Sequence, residues 1–125
     1  MRIFKTKLFA KFARSEHIVD ASLVEAVQRA GRGLVDVRLG GGVIKQRVAR
    51  QGQGRSGGYR TLIAYQMGDF AVFLFGFAKS ERANIGDDEL ASLRTIADQW
   101  LGDDRKLARD TAAGILIEVE HDVEN

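Results

Sequence analysis

An α+β fold is predicted for this chain of 125 residues. The expected architecture is two N-terminal helices packed on a twisted, largely antiparallel sheet of about four to five strands, followed by a C-terminal helix. Three observations predict it. Two stretches of helical apolar spacing, residues 7–14 and a run starting at Asp20, precede any long strand. Strand-like segments at 43–48, 59–67 and 70–78 then follow one another closely, the last two joined at Gly68-Asp69, and short joins imply antiparallel pairing. A third helical pattern follows the last long strand.

Each element has its own reason. Residues 2–5 read as a short first strand with Ile3 inward. The first helix carries Leu8, Phe9, Phe12 and Ala13 on one side. Asp20 is the expected N-cap of the second, whose apolar positions are Leu23, Val24, Val27 and Ala30; Gly31 and Gly33 suit its end. In Val43–Val48 the period changes to two: Ile44 and Val48 point one way, Lys45 and Arg47 the other, with the two cations about 7 Å apart. Phe70–Ala78 is nearly all apolar and reads as a central strand covered on both faces, with Phe73, Phe75 and Phe77 as core. Asp87 or Asp88 is expected to cap the third helix, which offers Leu90, Leu93, Ile96, Ala97, Trp100 and Leu101 to the core. Residues 105–113 read as a short further helix and 115–119 as a terminal strand. The coarse order is β-α-α-β-β-β-β-α plus a C-terminal extension.

Composition bounds the function. There is no Cys, hence no disulfide, thiolate metal site or Cys nucleophile. No apolar run is long enough to span a bilayer and no secretory leader is recognisable, so a cytoplasmic protein with no membrane partner is expected. Net charge is only +2, but it is unevenly placed. Residues 1–82 hold 15 Lys/Arg against 6 Asp/Glu, and residues 83–125 hold 4 against 11. No acid occurs from Val37 to Gly68, where Arg38, Lys45, Arg47, Arg50, Arg55 and Arg60 all lie. Such a field favours phosphate backbones, although a solvated basic face has the same composition. Glycines cluster at Gly40-Gly41-Gly42 and again at Gly52, Gly54, Gly57 and Gly58. Turn-making is the commoner use, and the cations flanking the second cluster add an anion-contact reading.

At Ser56-Gly57-Gly58-Tyr59-Arg60-Thr61 the sequence becomes recognisable. The stretches VIKQRVARQGQGRSGGYRTLIAY and FLFGFAKSERANI resemble the RelE-like toxins of bacterial type II toxin–antitoxin modules, and most closely the HigB-like branch. The resemblance covers residues 1–101 and implies a RelE-like domain at 1–102, with 103–125 an acidic extension that is part of that domain or packed on it. It also implies an endoribonuclease that cuts mRNA on the ribosome and inhibits translation. The implied partners are mRNA, the ribosome and a cognate antitoxin, often of helix-turn-helix type, in a toxin–antitoxin hetero-oligomer. The alternative on the same fold is a non-enzymatic interaction protein, either a ParE-like gyrase inhibitor or a degenerate toxin that acts in operon co-repression.

RNA cleavage by 2′-hydroxyl attack needs a base, cations for the extra phosphoryl charge and an acid for the leaving oxygen. The two histidines, His17 and His121, lie outside the basic stretch, and no His/carboxylate cluster has ligand spacing. The chemistry therefore falls to Lys and Arg, with no metal or other cofactor expected. Lys45 is the candidate base or electrostatic activator, and Arg47 and Arg60 stabilise the transition state. The resemblance adds Lys79 and Arg82, in FAKSERANI, as catalytic candidates. Arg50, Arg55, Ser56 and Tyr59 are candidate RNA or phosphate contacts, Tyr59 by stacking on a base, though its alternation with Ile63 also fits a core position. Asn84 is read as a turn or cap residue. No tyrosine stands near the end of the third helix, where some RelE members place a proton donor. The acidic C-terminal part is expected to repel RNA, fold back on the basic groove, contact an antitoxin or simply confer solubility.

Overall fold

The computed structural model describes residues 1–50 and 57–121. Ten elements follow in order: β1 (Arg2–Thr6), α1 (Lys7–Ser15), α2 (Asp20–Gly31), β2 (Val37–Gly40), β3 (Val43–Val48), β4 (Tyr59–Gln66), β5 (Phe70–Ala78), α3 (Asp87–Asp98), α4 (Asp104–Ala112) and β6 (Leu116–Val119). The strands form one sheet in the order β2-β3-β4-β5-β1-β6.

Among the described residues the fold departs from the expectation in two ways. The sheet has six strands rather than four to five. It is largely antiparallel as expected, with β1 pairing parallel with β5 and every other pair antiparallel. Its four helices are also arranged differently from two N-terminal helices and one C-terminal helix: α1 and α2 cover one face, α3 and α4 the other. The reasons are physical. β2 is weakly patterned, with Val37 and Arg38 exposed, and it exists because its backbone pairs with β3. β1 is separated from β5 by two helices and three strands, so no short turn advertises their pairing. The segment after Gly102 contributes a second-face helix and an edge strand, tied to β1 by a two-pronged contact of Arg2 with Glu118 at 2.9 and 2.8 Å.

The core is therefore double. Ile3, Phe9, Leu23, Val27, Ile44, Val48, Ile63 and Phe73 fill one side, and Phe4, Val43, Leu62, Val72, Leu93, Trp100 and Leu107 the other. Strand β5 faces both, as its continuous apolar run predicted. Burial of each large side chain contributes about 1.5–3 kcal/mol.

Details of the helices correct the sequence reading. Leu8 is 61% exposed and Ile96 40% exposed, so neither joins the core. Asp20 is not the N-cap of α2. Val19 takes that place, and Asp20 pairs with Lys5 at 3.1 Å. Likewise Gly86, not Asp87 or Asp88, caps α3, and its N–H donates to Glu89 Oε1 at 3.0 Å. His17 has φ 57° because it follows the end of α1: its own N–H and that of Ile18 bond back to Arg14 and Ala13.

The first glycine cluster makes the β2–β3 turn, with Gly40, Gly41 and Gly42 at φ 82°, 63° and 76°. Gly58 serves a different need. A Cβ there would lie 2.3 Å from the Val48 carbonyl oxygen and 2.7 Å from the Arg50 nitrogen, both backbone atoms. Gly58→Ala is expected to cost roughly 1–3 kcal/mol, the usual range for overpacking. Gly31→Ala meets nothing closer than 4.0 Å and should be neutral or stabilising by up to about 1 kcal/mol. Denaturant unfolding of the two variants gives opposite shifts if this packing is right.

Trp100 is buried, and its indole Nε1 donates to Asp110 at 2.8 Å, while Lys106 pairs with the same carboxylate oxygen at 2.6 Å. The Lys106 hydrogen bond, then that of Trp100, hold the Asp110 carboxyl below its ordinary value. A carboxyl lowered on folding stabilises above its unfolded pKa of about 3.9 and loses that stabilisation as pH falls through the folded value. Stability should therefore drop through the acid limb below about pH 4. Asp110→Asn should flatten that limb, with Trp100 fluorescence as the readout; an unchanged limb would refute the assignment.

Candidate functional site

Strand alternation places the expected cations as the sequence implied. In β3, Ile44, Gln46 and Val48 are buried, Lys45 is half-buried and Arg47 exposed. The β3–β4 register sets Arg47 directly opposite Arg60, and Lys45 opposite Leu62. Arg60 in turn stands opposite Phe77 of β5. Lys45, Arg47, Arg60 and Phe77 thus share the face that carries α3 and α4. Like charges directly opposite are destabilising. Burial first, and then the Arg47 charge, push the Arg60 guanidinium below its ordinary value, with Asp36 opposing. Among the described residues, no ion pair reaches Lys45 or Arg47.

The strand beneath these cations is clamped from its other face. Gln46 is fully buried; its Nε2 donates to the carbonyls of Ala26 (2.9 Å) and Leu34 (3.3 Å), and its Oε1 accepts from Asp36 N–H at 2.7 Å. Asp36 Oδ2 accepts from Arg47 N–H at 2.7 Å and from Arg29 Nη1 at 3.4 Å, and Arg29 Nη2 donates to the Arg47 carbonyl. Arg29 is only 4% exposed and also pairs with Glu25 at 2.8 Å. The side chains of Asp36 and Arg29 thus continue the ladder that β2 leaves off at Val37. The sequence reading passed over these residues. The one available signal was Gln46, a polar residue at an inward position of an alternating strand.

The segment after β5 completes the face. Arg82 lies 5.4 Å from the Phe77 ring centre, donates from Nε to the Asn84 carbonyl at 3.0 Å and pairs with Glu89 of α3. The Arg82 hydrogen bond, then that of Gly86 N–H, hold the Glu89 carboxyl below its ordinary value. Asn84 Oδ1 accepts from Lys45 Nζ at 3.3 Å, so the residue read as a turn-maker reaches the site as well. Its place within FAKSERANI was the only hint. Lys79 is exposed at the start of this segment, and its N–H donates to the Gly58 carbonyl at 3.2 Å.

Not every candidate joins them. Tyr59 faces the other side of the sheet and is 2% exposed. Its ring meets Phe12 edge-on at 5.8 Å, and its hydroxyl donates to the Glu16 carbonyl at 3.3 Å. Burial is the main cause that raises its pKa. That ring has no open surface on which a base can stack, so Tyr59 acts here as core. Arg50 sits 5.8 Å from the Tyr59 ring centre, on that same rim. Arg55 and Ser56, with Gly52 and Gly54, lie outside the described residues. His17 is in the α1–α2 connection, and His121 Nε2 lies 3.2 Å from the Met1 carbonyl, both away from the cations. Among the described residues no three His, Asp or Glu side chains converge as metal ligands, and no helix is long and apolar enough to cross a membrane.

The family model described as the RelE toxin of the RelE/RelB toxin–antitoxin system matches residues 1–119. The chain belongs to the RelE toxin family. It is thus a toxin component whose partner is a cognate antitoxin, and the match runs through α4 to the end of β6. A search of curated proteins finds no match to this chain.

In this RelE-family chain the Asp36 clamp gives a direct test. Asp36→Ala leaves the Arg47 N–H without its acceptor and takes one carboxylate from buried Arg29. It is expected to cost roughly 1–3 kcal/mol and to speed amide hydrogen exchange at Arg47. Wild-type exchange there would show that the clamp does not hold the strand.

Proposed function

We propose that this RelE-family toxin is a metal-independent endoribonuclease that cuts mRNA on the ribosome and so inhibits translation in the cytoplasm, in the manner of the HigB-like branch. The observation that carries the reading is the like-charged cluster of Lys45, Arg47 and Arg60 on one sheet face, beside Arg82. A fold that places Arg47 directly opposite Arg60 accepts electrostatic repulsion, which a phosphate between them relieves. In this reading the Lys45 ammonium is an electrostatic activator beside the 2′-hydroxyl and the phosphate, while Arg47 and Arg60 hold the phosphoryl oxygens where charge builds up. Lys79 and Arg82 serve the leaving-group side, and Arg50, Arg55 and Ser56 track the backbone. The cognate antitoxin is proposed to be of helix-turn-helix type and to form a hetero-oligomer with the toxin.

One observation favours a second reading, a non-enzymatic RelE/ParE-fold protein that acts on gyrase or in operon co-repression. Both tyrosines, Tyr59 and Tyr65, are buried on the face opposite the cations, and burial raises both hydroxyl pKa values. No aromatic proton donor therefore stands on the cationic face among the described residues. Gyrase supercoiling measured with the purified protein separates this reading from the first.

Induction of the chain alone should arrest growth and yield transcript ends within ribosome-protected regions, mapped by 5′-end sequencing. Lys45→Ala, Arg47→Ala and Arg60→Ala should each lower cleavage by on the order of tenfold or more. Wild-type cutting by all three variants would remove this face from the mechanism. Because backbone contacts are counterion-linked, each lost phosphate contact should also flatten the dependence of log K on log salt by about 0.7 for single-stranded RNA.

A further inference from the structure

The geometry points to Asn84 as the positioning residue of this site, holding the Lys45 ammonium as a charged group that a phosphate can still use. The inference rests on the reading of the Lys45 face as an RNA-cleaving surface. Three donors converge on Asn84. Lys45 Nζ donates to its Oδ1 at 3.3 Å, the Ile85 N–H donates to the same oxygen at 2.9 Å, and Arg82 Nε donates to its main-chain carbonyl at 3.0 Å. Two donors on one amide atom settle which way the carboxamide faces, since a flipped NH2 would meet two hydrogen-bond donors. Lys45 on β3 and Arg82 beyond β5 are therefore oriented by one residue, although they lie on separate segments of the chain.

The chemistry of the acceptor matters. A lysine side chain carries large rotamer entropy, so an untethered Lys45 would have to be ordered anew at each encounter with substrate. A carboxylate would also order it, yet its own negative charge would repel the incoming phosphate and weaken binding. Glu89, the carboxylate that pairs with Arg82, is held by Arg82 and by the Gly86 N–H. A neutral amide orders the ammonium and leaves its charge intact. Asn84 is exposed, so it occupies the rim, where RNA would reach Lys45 without displacing core.

The experiment is single-turnover cleavage of a short mRNA in programmed ribosomes, read as the saturated rate and the half-saturating protein concentration. Asn84→Ala should lower the saturated rate by on the order of tenfold and leave the half-saturating concentration within about twofold. Asn84→Asp keeps the acceptor. It should recover the saturated rate to within about threefold of wild type and raise the half-saturating concentration, through its added negative charge. Thermal unfolding of both variants should stay close to wild type, because the side chain is exposed. A wild-type saturated rate in Asn84→Ala overturns the inference alone, and so does an Asp variant as slow as the Ala variant. A wild-type chain that cuts no RNA overturns the RNA-cleaving reading and this inference with it.

Discussion

The buried amide of Gln46 is the constraint on which the cationic face depends. Its three hydrogen bonds reach α2, the α2–β2 loop and Asp36, so one side chain joins the first helical layer to the sheet. Each bond contributes only about 1 kcal/mol net, but a partner left unpaired would cost about 1–3 kcal/mol. The larger consequence concerns register. A slip of one residue in β3 would turn Lys45 and Arg47 into the first-face core and Gln46 out of it. Arg29 and Asp36 reinforce the same register by bonding to both backbone groups of Arg47. The cations of this face are thus held by contacts that Gln46, Asp36 and Arg29 make around their own strand.

With β3 held, the remaining geometry follows from pairing. Antiparallel register brings Arg60 opposite Arg47, and β5 brings Phe77 under Arg82. The acidic C-terminal part has local structural tasks here. Glu89 holds Arg82, Asp110 joins Trp100 to Lys106, and Glu118 ties β6 to β1 through Arg2. Through Glu89 an acid of that part meets a proposed catalytic cation, Arg82.

Much of this was legible in the residues. The period-two stretch at Val43–Val48 put Lys45 and Arg47 on one side, and the continuous apolar run of β5 gave a strand covered twice. Trp100 and the β5 phenylalanines read as core and are largely so. Other features were not legible, for identifiable reasons. Leu8 fits the apolar side of an isolated helix but stays exposed, at an open groove it shares with Phe12 and Phe75. Asn84 and Asp36 are small polar residues in connections, where local sequence cannot distinguish a turn-maker from a residue that reaches another strand. Tyr59, which alternates with Ile63, fits either an RNA contact or a core position on sequence alone. Only the packing of Phe12 of α1 on the same face decides between them.

The sequence by itself determined what is local or periodic. That covers helix and strand type, the side of β3 to which Lys45 and Arg47 belong, the lopsided charge, and through two long motifs the RelE family. Tertiary structure decided what is non-local: the parallel β1–β5 pair, helices on both faces, the clamp of Gln46, Asp36 and Arg29, and the meeting of Lys45 with Asn84. Side-chain period depends on backbone geometry that each residue carries with it. Which strands become neighbours, and which polar group meets which, depends on how the whole chain closes its two cores.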